Sequence, residues 1–112
     1  MNTLSAIQLK KMKQENKNLK VINVLEEKYF KKEHLPESIN IPEGSETFLE
    51  AVEKELGSKT DPVVVYCASL ECDASPKAAR KLEDAGYTQV YDFEGGVKEW
   101  KENNLPIVLG GH

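Results

Sequence analysis

Two thiols, Cys67 and Cys72, are the only cysteines in the chain, and both fall within one stretch, VVVYCASLECDASPKAARKL, residues 63–82. Four β-forming residues lead into Cys67, and Ser75-Pro76 opens an alanine-rich helical pattern. In open α/β sheets the carboxyl ends of strands are where ligands bind, and Cys67 is expected at such an end. Ser75 reads as a helix N-cap and Pro76 as the first helical residue. The unpaired amides and positive dipole end of that helix would face the loop, which lowers a cysteine pKa from its usual value of about 8.5. Glu71 and Asp73 oppose this. An exposed, screened carboxylate costs a nearby thiolate about 1 kcal/mol, whereas each hydrogen bond to a charged group contributes roughly 1.5–3 kcal/mol. Two or three amide donors would therefore outweigh the two acids, and an ionised Cys67 is expected. The competing reading is a small apolar residue buried at a strand end.

The surrounding pattern alternates helix and strand. Ser5-Ala-Ile-Gln8 reads as a capping box opening a helix to about residue 14. Residues 19–25 read as a strand, 26–32 as a short helical turn, and 38–41 as a short strand stopped by Pro42 and Gly44. Phe48, Val52 and Leu56 recur at helical spacing, with Gly57 just beyond. Residues 62–66 read as a buried strand, and Ala78, Ala79, Leu82 and Ala85 as one helical face closed by Gly86. Residues 89–93 form another strand pattern, and Val97 and Trp100 share a face of a last helix ending near Asn103. Gly95 and Gly96 are expected to permit a tight strand-to-helix turn. Lys10, Lys11 and Lys13 read as a solvated helix face, and Gly110-Gly111-His112 as a mobile tail. Strands alternating with helices imply βαβ units and a parallel sheet.

The 112 residues suit one α/β domain spanning residues 1–112. Apolar residues make up 39% and charged residues 30%, which is globular rather than disordered composition. A net charge of −4 gives no footprint for nucleic acid or an anionic membrane. No apolar run approaches the roughly 18 residues of a membrane helix, and the N-terminus lacks the apolar core of a signal peptide. A cytoplasmic protein is expected, where thiols stay reduced. A metal site would need ligands beyond the two thiols, and the spacing of His34 to the loop is not a zinc pattern, so neither metal nor cofactor is expected. His34 reads as a structural hydrogen-bonding residue in a loop.

Four blocks in order resemble the single-domain rhodanese-like sulfurtransferases. Val63-Val-Val-Tyr-Cys67 resembles the strand that delivers the family's catalytic cysteine, and residues 75–87 resemble the helix that follows. Phe93-Glu-Gly-Gly-Val-Lys-Glu-Trp100, continuing to Leu105-Pro106, resembles the C-terminal signature. His34-Leu-Pro-Glu-Ser-Ile-Asn-Ile-Pro42 resembles a segment usually written Gly-His-Ile-Pro-Gly-Ala. The resemblance implies a five-stranded, mostly parallel sheet with helices on both faces. It also implies transfer of sulfane sulfur through a persulfide on Cys67. The amides of the loop, Ala68, Ser69, Leu70, Glu71, Asp73, Ala74 and Ser75, would then bind the sulfur substrate and stabilise the persulfide anion. Donor and acceptor would be thiols or persulfides, small or on a partner protein, and the protein is expected to act as a monomer.

The chain departs from that family in three places. Seven residues separate Cys67 from Ser75 where five are usual, and the loop has two acids and no cation before Lys77. The usual Asp-Val-Arg near the second strand is Asn23-Val24-Leu25 here, so both members of an ion pair are replaced together and no lone buried charge remains. Weak use of thiosulfate, a dianion, is expected. Phosphatase chemistry, which a longer loop suggests, needs a loop arginine, and Arg80 lies too far along the helix. A curled Cys-x4-Cys loop brings two thiols within the roughly 7 Å between Cα atoms that a disulfide needs, so Cys72 could resolve a Cys67 persulfide or sulfenate. Equally, Cys72 could point away and fill space. Two rival functions follow: a thiol–disulfide redox protein using Cys67 and Cys72, and an inactive rhodanese fold serving as an interaction module.

Overall fold

A computed structural model describes residues 2–110. Gly111 and His112, the end of the expected mobile tail, lie outside the described residues. Five strands form the main sheet: β1 (Asn2–Thr3), β2 (Lys20–Asn23), β4 (Ile39–Asn40), β5 (Val63–Tyr66) and β6 (Val90–Phe93). Their spatial order is β1-β6-β5-β2-β4, and every pair is parallel. The remaining strands, β3 (Glu33–His34) and β7 (Val108–Leu109), make a separate antiparallel pair. The helices are α1 (Ala6–Glu15), α2 (Glu27–Lys32), α3 (Phe48–Glu55), α4 (Ala74–Asp84) and α5 (Gly96–Glu102).

Strand β5 is central and wholly buried, which is why it reads as an unbroken apolar run rather than an alternation. Its residues divide between two cores. Val63, Val65 and then Cys67 pack with Ile22, Phe48, Val52, Ala78, Ala79 and Leu82 under α3 and α4. Val64 and Tyr66 pack with Ala6, Leu9, Leu35, Phe93, Val97 and Trp100 under α1 and α5. Register fixes the same division across the sheet, with Ile22, Val65 and Asp92 in line. Alanines at 78 and 79 let α4 lie close to the strands, and the capping box of Ser5 and Gln8 starts α1 as expected.

Several local expectations need correction. Helix α4 begins two residues early, with Asp73 at the N-cap and making no side-chain cap bond. Ser75 is therefore inside the first turn and buried, and Pro76 is the third helical residue, where its missing N–H still costs nothing. His34 lies in β3 rather than a loop; its ring stacks on Phe30 with centroids 3.8 Å apart, and Nδ1 meets the Phe30 carbonyl at 2.8 Å. Lys13 leaves the solvated face: its ammonium donates to the Pro36 carbonyl at 2.7 Å and lies 5.5 Å from the Trp100 ring centroid. Burial lowers its pKa, with Glu37 acting the other way. Two-residue strands β1, β3 and β7 carry no periodic signal and escape sequence reading.

Candidate active site

The site forms where β5 ends. Tyr66 points to the α1/α5 side, where its hydroxyl accepts the Leu35 N–H at 3.1 Å and shares a 2.7 Å hydrogen bond with Ser38. This anchor fixes the strand's rotation and sends the next side chain, Cys67, to the α4 side. The Cys67 carbonyl accepts the Val97 N–H at 3.1 Å, and the Ala68 carbonyl accepts the Lys98 N–H at 2.9 Å. The first turn of α5 thus grips the peptide that carries Cys67. Gly96 makes this possible. Its φ is 58°, and a Cβ there would stand 2.1 Å from the Cys67 carbonyl oxygen.

The loop beyond turns on itself. Ser69 receives the Cys72 N–H on its carbonyl at 3.1 Å and the Glu71 N–H on its hydroxyl at 3.3 Å. Ala68, Leu70, Glu71 and Asp73 are exposed, and Leu70, at 72% exposure, is the apolar tip. Cys72 and Ala74 fold inward against the α3/α4 core, and the Cys72 thiol meets the Cys67 thiol. Asp73 pairs with Lys77 at 3.2 Å, which neutralises the first cation after the loop.

This geometry departs from the ionised Cys67 that the sequence suggests. The Cys67 thiol is fully buried, and its pKa is pushed up to about 11. Burial is the main cause, and the hydrogen bond with Cys72 adds to it. The Ser75 hydroxyl and N–H pull the other way and do not prevail. The loop amides of Glu71 and Cys72 turn to Ser69, and the Ser75 hydroxyl and N–H are the groups of the predicted cradle that favour the thiolate. Both cysteines are free.

Sequence reading missed Asp92. It is fully buried in β6, in register with Val65 and therefore on the Cys67 side of the sheet. Neither carboxyl oxygen has a hydrogen-bond partner, nor does the Ser75 hydroxyl. Burial raises the Asp92 pKa, the neighbouring Ser75 hydroxyl lowers it, and Glu94 raises it further. Ser75 is thus close enough to influence both Asp92 and Cys67, without a hydrogen bond of full geometry to either. The available signal was an acid at an inward position of a Val-Tyr-Asp-Phe strand. At the end of β2, Asn23 and Leu25 occupy the replaced ion-pair positions. The Asn23 side-chain oxygen accepts the Leu25 N–H at 2.9 Å, and the Leu25 side chain packs on the core, so the turn closes without charge.

A groove of about 540 Å³ adjoins the loop at Ala68, lined by Leu25, Tyr29, Lys32, Lys98 and Lys101 among others. Lys101 is committed to Glu33 at 2.9 Å. A second groove, about 410 Å³, includes Lys13, Lys20, Pro36 and Trp100. It opens at the other end of β2 and does not reach the thiols. Among the described residues no three His, Cys, Asp or Glu side chains are grouped to hold a metal ion, and no helix is long and apolar enough to cross a membrane.

The model of the rhodanese-like domain matches residues 5–103. The chain belongs to that family. It is 33% identical over 91 residues to the uncharacterized protein YibN of Escherichia coli K12, covering 80% of this chain and 61% of YibN. The rhodanese-like chain thus spans about three-fifths of that relative's length. It is 41% identical over 59 residues to the chloroplastic thiosulfate sulfurtransferase 16 of Arabidopsis thaliana, covering 53% of this chain and 47% of that protein. Among solved structures, the thiosulfate sulfurtransferase of Pseudomonas aeruginosa superposes with a TM-score of 0.85 at 17% identity, over 98% of this chain and 20% of that one. The polysulfide-sulfur transferase homodimer of Wolinella succinogenes superposes with a TM-score of 0.72 at 27% identity, over 100% and 81%. The five-stranded parallel sheet flanked by helices is the rhodanese fold.

Proposed function

We propose that this rhodanese-like protein is a sulfurtransferase that carries sulfane sulfur as a persulfide on Cys67. The observation that carries the reading is the placement of Cys67: at the carboxyl end of the central strand, gripped by α5, with a second thiol against it. Membership of the family, and sulfurtransferase relatives within it, support the same reading. In the first half-reaction the Cys67 thiolate attacks the outer sulfur of a donor persulfide. The donor's sulfur–sulfur bond breaks, and its thiolate leaves with the electron pair. In the second, an acceptor thiolate removes the outer sulfur, and Cys67 is regenerated as thiolate. Thiols or persulfides, small or protein-borne, serve as donor and acceptor, and the working form is a monomer in a reducing, cytoplasmic setting. Access to a fully buried sulfur requires the 68–73 loop to lift Cys72 away. Treatment with a persulfide donor followed by peptide mass spectrometry tests this: one sulfur gained on Cys67, and none with Cys67→Ser, is expected. A Cys67 that gains no sulfur from any persulfide or polysulfide donor refutes the activity.

The contact between thiols favours a second reading, a redox pair. Loss of two hydrogens across Cys67 and Cys72 under mild oxidation, with reversal by ordinary thiols and no sulfur gain, would select it.

A further inference from the structure

Three buried oxygens without partners, both of Asp92 and the hydroxyl of Ser75, lie on the Cys67 side of the sheet, and Ser75 is the neighbour common to the acid and the thiol. Buried polar atoms left unpaired are costly, and those kept in a native structure are candidates for a role in chemistry. This arrangement also meets a need of the proposed reaction, on which the inference rests. Cys67 must shed a proton inside a core that disfavours its anion, and water is excluded from its sulfur.

We infer that Asp92 and Ser75 form a buried proton path that serves Cys67. When the Ser75 hydroxyl turns to bridge the two groups, the S–H proton of Cys67 passes to the Ser75 oxygen as the Ser75 hydroxyl proton passes to the Asp92 carboxylate. Cys67 is left as thiolate, Ser75 is unchanged, and Asp92 holds one proton as a neutral acid. The path runs backwards when sulfur has been handed on and the Cys67 thiolate returns to rest. Net charge inside the core is conserved throughout, because the negative charge moves from Asp92 to the sulfur. Asp92 touches no substrate and acts through Ser75.

The charged surroundings suit this task. The raised pKa of Asp92 makes its carboxylate a stronger proton acceptor than an exposed aspartate. Glu94, just past the end of β6, is the charged group that Asp92 senses. From β1, Thr3 is its register partner and carries no charge. From α4, the side chain that reaches it is Ser75; Lys77 is exposed and paired with Asp73, and Arg80 is exposed. Among the described residues no lysine or arginine forms an ion pair with Asp92, so no salt bridge holds its proton affinity down, and the Ser75 hydroxyl alone acts in that direction.

The test is the rate at which iodoacetamide alkylates Cys67 in the full chain, read by peptide mapping from about pH 5 to about pH 10. The wild-type rate is expected to show a limb well below the thiol's own titration. Asp92→Asn and Ser75→Ala should each remove that limb and slow the neutral-pH reaction by about tenfold or more. The double variant should be no slower than either single one, because both interrupt one path. A profile for Asp92→Asn that superimposes on wild type overturns the inference. So does loss of the limb with Cys72→Ser alone, which would make Cys72 the proton acceptor. Should Asp92→Asn fail to fold, the Ser75→Ala profile decides by the same criterion. Alkylation does not depend on sulfur transfer, so a Cys67 with this pH profile that gains no sulfur leaves the proton path standing and refutes the sulfurtransferase reading alone.

Discussion

Cys67 and Asp92 are both buried groups whose charged forms the fold disfavours, so each carries a stability signature with a definite sign. The Cys67 pKa lies at about 11 in the folded protein against an ordinary 9.0. A raised folded value means that its contribution to stability is fully present below the unfolded pKa and is lost as pH rises through the folded one. The window runs from about pH 9 to about pH 11, and the loss amounts to roughly 2–3 kcal/mol. Urea midpoints of wild type should therefore fall more steeply across that window than those of Cys67→Ser; parallel curves would contradict the buried, protonated thiol. Tyr66 and Tyr87, also raised by burial, remain in both proteins and cancel in the comparison. The Asp92 carboxyl is likewise raised, from an ordinary 3.8, so its favourable contribution exists in acid and is lost as pH climbs. At neutral pH its unpaired oxygens are a liability. Asp92→Asn should raise the neutral-pH unfolding free energy by about 1–3 kcal/mol, and the gain should shrink towards acid. A variant that is both more stable and less reactive is the pattern expected of a residue kept for function.

At the level of elements, the long periodic segments were legible from sequence, because burial and period coincide in them. The Val63-Val-Val-Tyr66 run became the central strand, and the Ser5–Gln8 box became the start of α1. What escaped was set by contacts remote in sequence. Two-residue strands are defined by their partners, as with Glu33–His34 beside Val108–Leu109. The start of α4 moved because Ser75 faces the core instead of capping, and two of the loop amides, those of Glu71 and Cys72, turn to Ser69. The two thiols of the candidate site could be named from the chain, whereas Asp92 required knowing which face of β6 meets α4. The junction of β5 with α5 yields its own prediction. Gly96→Ala combines a left-handed φ with a collision against the Cys67 carbonyl and should cost about 3 kcal/mol or more. Ser5→Ala, which removes the capping box of α1, should cost about 1 kcal/mol. Thermal or urea denaturation of the two variants checks the order; a Gly96→Ala protein as stable as wild type would mean that α5 does not grip the peptide as described. Cys67 in that variant should also alkylate faster, because its cover is displaced.

Taken whole, the molecule is acidic, and its thiols share a loop with Glu71 and Asp73, with Lys77 already paired. Thiosulfate, with two negative charges, meets repulsion that a neutral persulfide does not. Sulfur transfer from thiosulfate should be slow and should rise with added salt as the repulsion is screened, while transfer from a neutral donor should hardly respond. A cyanide-coupled assay at low and high ionic strength separates the two, and fast thiosulfate turnover at low salt would defeat the expectation. The sheet's connectivity has a consequence for the protein's birth on the ribosome. Asn2 and Thr3 pair with Tyr91 and Asp92, and the carbonyls of Cys67 and Ala68 wait for Val97 and Lys98. Both thiols are therefore synthesised well before the segments that enclose them. At elongation rates of about 5–20 residues per second, the nascent loop stays uncovered for times on the order of seconds. In that interval Cys67 titrates as an ordinary exposed cysteine, open to whatever oxidants and persulfides surround the ribosome.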